Sequence, residues 1–86
     1  MTKYVIESVE SKRPGYVNRW HKKVKGKHCT IERLECCYTA WFMIENLVES
    51  EEASRFHTSP VQEIRNETGA IIIETWNSIY KLKECK

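Results

Sequence analysis

Short alternating or β-branched runs, cut at close intervals by turn-forming residues, constrain this chain more than any other feature. TKYVIESVES, residues 2–11, alternates in period two: Tyr4, Ile6 and Ser8 face one way, and Val5, Glu7 and Val9 the other. Arg13-Pro14-Gly15-Tyr16 then supplies the fixed φ and the φ > 0 position of a tight turn. The run from Lys27 to Asn46 is rich in β-branched and aromatic residues and divides into strands near 28–34 and 36–45. In the second of these, Tyr38, Ala40, Phe42 and Ile44 oppose Cys37, Thr39, Trp41 and Met43, and both sets are apolar enough to be covered. A helix over 30–49 is the rival reading, because Leu, Met, Ala and Glu are good helix formers. ENLVESEEASRFH reads as a Glu-rich connection with at most one helical turn. A strand opening near Pro60 follows, where a missing N–H costs least. Glu67-Thr68-Gly69 makes a hairpin turn, and Trp76-Asn77-Ser78 a second corner before Ile79, Tyr80 and Leu82 resume.

Five or six short strands in 86 residues have the size and rhythm of a small SH3-like or OB-like β-barrel. Closure also removes the exposed edges that so many β-branched residues would otherwise present. A chain this short buries only roughly 60–65% of its unfolded surface, so one thin core and a single domain over 1–86 are expected. No apolar run reaches the roughly 18 residues that span a bilayer, so no membrane partner is expected. The N-terminus lacks the basic-then-apolar layout of a signal peptide. The expected location is the cytoplasm of a bacterium or of an infected host cell.

The stretch FHTSPVQEIRNETGAIIIETWNSIYKL resembles the C-terminal part of small uncharacterised SH3-like β proteins of bacteria and their phages. The matching positions are Thr58, Ser59, Val61, Thr75, Asn77, Ser78 and Tyr80. The resemblance covers about a third of the chain. It implies an SH3-like β domain and a mobile-element origin, and it transfers no catalytic residue.

Catalytic and metal chemistry find little footing. Cys29, Cys36, Cys37 and Cys85 with His28 and His57 are zinc-capable donors, but no pair has the short knuckle spacing of a structural zinc site. Cys29, Cys36 and Cys37 read instead as small apolar residues in strands, partly buried, with adjacent side chains on opposite faces. All twelve acids are Glu, and the lack of Asp disfavours a calcium loop or a catalytic magnesium site. Three glycines leave no phosphate-cradling loop. No nucleophile signature occurs, so no enzyme, no metal and no cofactor are expected.

Charge is what remains. Net charge is only +2, yet seven of the fourteen cations fall within residues 12–27. The rest of the chain sets seven cations against twelve Glu. This basic segment reads as a long loop on a mildly acidic body. Its cations alternate with rings, a mixture suited to a phosphate-and-base ligand. The candidate ligand-binding residues there are Arg13, Tyr16, Arg19, Trp20, His21, Lys22, Lys23 and Lys25. At the second corner they are Trp76, Asn77 and Ser78, a flat ring beside hydrogen-bonding side chains. The partner expected first is a small anionic nucleotide-like ligand, held between subunits of a homo-oligomer because one small chain can hardly enclose it. Combined with the resemblance, this points to a counter-defence protein that sequesters a host nucleotide immune signal. An acidic protein partner, with the chain acting as inhibitor or adaptor, and single-stranded nucleic acid stay open as alternatives.

Overall fold

The computed structural model describes residues 2–13, 15, 19–48 and 50–85, and of Arg19 the backbone alone. The elements in chain order are β1 (Tyr4–Ser11), α1 (Arg19–Val24), β2 (His28–Arg33), β3 (Thr39–Glu45), β4 (Ala53–Glu67), β5 (Ala70–Thr75) and β6 (Ser78–Glu84). Each strand pairs antiparallel with the next, and β1 also pairs with β6, so the sheet closes into a six-stranded barrel. The small closed β-barrel expected from the strand rhythm is therefore the fold, with its strands in meander order.

Period-two burial fills the barrel. Ala40, Phe42 and Ile44 of β3 are fully buried, while Thr39, Trp41 and Met43 on the other face are half-buried. The helix over 30–49 does not form, because this segment has strand partners on both sides. Ile6, Cys29, Val61, Ile73, Tyr80 and Leu82 complete the barrel's interior. In β1 a register shift between Ile6 and Ser8 breaks the simple alternation. Ile6 lies opposite Leu82 and Val9 opposite Tyr80, so Val9 packs on the core side with Tyr4 and Ile6.

Three expectations need correction. The basic segment is not simply a loop, since α1 lies within it. A six-residue helix is marginal alone. This one is held by Val24, which is fully buried, and ended by Gly26 at φ +82, whose N–H donates to the Ile6 carbonyl at 2.7 Å. Lys22 and Lys23 occupy its last turn, where cations suit the helix dipole. Pro60 does not open its strand; it sits inside the fifteen-residue β4, where that strand exchanges partners. Residues up to Pro60 pair with β3 and those from Val61 pair with β5, and register shifts on both sides of the exchange bend the strand. The Glu-rich connection is correspondingly shorter than expected, since Ala53–His57 already belong to β4.

The third correction concerns Cys36 and Cys37. They lie in the β2–β3 turn, not in a strand, and both are exposed. Cys37 has φ 77, which turns the two side chains toward each other. The two predicted corners do form. Gly69 takes φ +73 in the β4–β5 hairpin. At the β5–β6 corner the Thr75 hydroxyl accepts from the Ser78 N–H and donates to the Ser78 carbonyl, both at 3.1 Å.

Candidate functional site: a cleft beside the unpaired half of β4

Where β4 leaves β5, its first half has β3 on one side only. Beside that free edge lies a cleft of about 470 Å³, open on one side to solvent. This is within the roughly 300–1,000 Å³ of small-molecule sites. Its walls come from four places: Trp20 of α1, the β3–β4 connection (Leu47, Val48, Glu51), β4 from Ser54 to Ser59, and Asn77, Ser78 and Tyr80 of the last corner and β6. A second depression is larger, about 580 Å³. It is lined by Glu7, Glu84, Lys81, Lys83 and the hairpin turn, with no ring and with balanced charge, so the first cleft is the candidate.

Rings line its apolar part. Trp20 and Phe56 stand 6.4 Å apart between centroids, tilted by 57°. Phe56 in turn meets Tyr80 edge-on at 6.4 Å. The Lys23 ammonium sits 4.8 Å from the Trp20 ring centre, inside cation–π range. Arg55 and His57 border the cleft through β4, but strand alternation turns their side chains to the face opposite Phe56, where His57 meets Trp41 at 4.9 Å between ring centroids. Arg55 meets Glu32 at 3.6 Å, a loose and exposed pair that leaves most of the guanidinium in solvent. Among the described lining residues Glu51 is the one acid, and it accepts a 2.6 Å hydrogen bond from the Ser54 hydroxyl.

Behind the cleft, His21 Nε2 lies 2.8 Å from Ser78 Oγ, and its ring meets Tyr80 edge-on. Burial lowers the His21 pKa below its ordinary 6.5, so the ring is held neutral. Burial likewise raises the Tyr80 phenol, offset in part by Ser78. A serine hydroxyl on a neutral histidine is the first element of a nucleophile–base couple. Ser78 is nevertheless only 2% exposed, and among the described residues no carboxylate orients His21. The couple reads as a floor that fixes Ser78 and α1 to each other.

The sequence-derived candidates divide cleanly. Trp20, Asn77 and Ser78 line the cleft. Lys23 and His21 each touch a lining residue. Lys22 and Lys25 are exposed on and just after α1, Arg13 is exposed in the turn before it, and Trp76 is 61% exposed at the corner; none of these lines the cleft. Tyr16 and the Arg19 side chain lie outside the described residues. Lys12 is occupied elsewhere: it donates to Gln62 at 2.9 Å, and to Glu74 and the Thr75 carbonyl at 3.2 Å. The β4 wall escaped sequence reasoning because SRFH was assigned to a connection. The available signal was the alternation of Ser54, Phe56 and Thr58 with Arg55 and His57. Comparison with family models, with curated proteins and with solved structures found no match.

Proposed function

We propose that this protein binds, without turning over, a small anionic ring-bearing ligand of the nucleotide class in the β4 cleft. The observation that carries this reading is one cleft holding Trp20, with Lys23 over its ring, together with Phe56, Tyr80 and Asn77. A base stacks on the indole, a contribution of about 1–3 kcal/mol. Lys23 meets phosphate, and Asn77 with the Ser54 and Ser59 hydroxyls selects among bases by hydrogen bonding. A second copy of the chain over the open side completes the enclosure, the homo-oligomer of this reading. Holding a host nucleotide signal away from its receptor is the role it extends to. That role rests on the resemblance of residues 56–82, whereas the binding claim rests on the cleft.

The unpaired β4 edge favours a second reading, an extended acidic peptide added as a strand beside residues 53–59. Native mass spectrometry, on the protein as purified and after incubation with mono-, di- and cyclic nucleotides, separates the two. The first reading predicts a nucleotide adduct that weakens at least about tenfold, or about 1.4 kcal/mol, in Trp20→Ala and in Lys23→Glu. No adduct with any nucleotide, or one indifferent to both substitutions, contradicts it. A chain that stays bare but retains acidic peptides favours the second.

A further inference from the structure

The β2–β3 turn carries a feature that the cleft does not use. Cys36 and Cys37 are adjacent, exposed and free, and their sulfurs are 3.8 Å apart. Neighbouring side chains ordinarily diverge; these converge because Cys37 takes the left-handed backbone conformation, φ 77. That conformation costs a non-glycine residue about 1–3 kcal/mol. Asn46, which also has positive φ, is a type that tolerates it, and cysteine is not. The turn is pinned on both sides: the Cys37 N–H donates to the Val61 carbonyl at 2.8 Å, and the Val61 N–H donates to the Tyr38 carbonyl at 2.9 Å. The pair is thus held in place by the bend of β4.

The separation is informative. It is far from the ~2.05 Å of a disulfide. It lies within a few tenths of an ångström of the separation of two sulfurs joined to one central atom by bonds of about 2.3 Å, so a small side-chain rotation brings both onto it. Among the described residues, no group of three or more metal-ligating side chains occurs. A centre that needs only two protein sulfurs therefore fits, and one that needs four protein ligands does not.

We propose that Cys36 and Cys37 form a vicinal-dithiol site for a thiophilic centre satisfied by two sulfurs, of the monosubstituted trivalent arsenical class. With an arsenic oxide R–As=O, both thiols add, two As–S bonds form and the As–O bond breaks. The oxygen leaves as water with the two thiol protons, and nothing is oxidised or reduced. Hydrogen bonding with Cys37 holds the Cys36 thiol above its ordinary pKa, which suits a condensation that consumes thiols. Tyr38, next in the chain, offers an exposed ring, 56% accessible with the Arg33 guanidinium 5.0 Å from its centre, for an organic substituent to pack on.

The test titrates the folded protein with phenylarsine oxide and reads intact mass and remaining free thiols. One arsenical per chain is expected, consuming two of the four thiols and removed by excess dithiol but not by monothiol. Cys36→Ser and Cys37→Ser should each weaken uptake about 100-fold or more, the advantage of a second linked bond. Cys29→Ser and Cys85→Ser should leave it unchanged, with circular dichroism showing each variant folded. No uptake by the native chain, uptake persisting in Cys36→Ser or Cys37→Ser, or uptake lost in Cys85→Ser would overturn the proposal.

Discussion

His21 joins the basic helix to the barrel. Its neutral ring bonds Ser78, and Ser78 is buried under the cleft. The folded pKa lies below the unfolded 6.5, so above that pH the group adds no slope to stability. As pH falls through 6.5, the unfolded chain takes up a proton that the folded chain resists, and stability drops. Urea midpoints measured from about pH 8 to about pH 5 should decline on the acid side. His21→Gln, which keeps hydrogen-bonding capacity but does not titrate, should flatten that decline; an unchanged slope would contradict the account. The cations of α1 differ in the same residue-by-residue way. Lys23 sits over Trp20, so Lys23→Glu should weaken ligand binding, whereas Lys22 and Lys25 face solvent and their replacement should alter only its salt dependence.

At the scale of elements, α1 matters because it is short. Six residues do not hold a helix by themselves, so its place depends on Val24 in the core and on the Gly26 bond to Ile6. Val24→Ala removes about two buried methylene equivalents and leaves a small cavity, costing about 2 kcal/mol. Denaturant unfolding should show a lower midpoint at constant m, together with weaker ligand binding because Trp20 and Lys23 ride on the same helix. Strand rhythm was readable because period-two burial in β3 and β6 is a local property of the residues. The helix was not, because its apolar signal is one i, i+4 pair, Trp20 and Val24, in a six-residue run otherwise of Arg, His and Lys. Nor was the exchange of partners along β4, since a bend that gives one strand two neighbours is decided by long-range pairing. Cys37 shows the same limit: only the clamp to Val61 gives it a left-handed backbone.

At the scale of the whole molecule, closure and opening have one cause. The bend of β4 lets a meander close through β1 and β6, and it leaves residues 53–59 with β3 on one side and the cleft on the other. The barrel thus opens its candidate cleft at the place where two strands part. Trp20, Asn77 and Ser78, which line that cleft, were legible as candidates because a ring among cations and an amide at a corner are conspicuous in sequence. Arg55, Phe56 and His57 were hidden in an apparent connection. Among the described residues, no helix is long and apolar enough to cross a membrane. The most direct measurement is a ¹H–¹⁵N correlation spectrum of the labelled protein, titrated with the nucleotide that gives the strongest adduct. The account predicts shifts concentrated at the Trp20 indole, along Ser54–Ser59, and at Asn77 and Ser78. Shifts confined to the outer lysines and Trp76, or none at all, would contradict it.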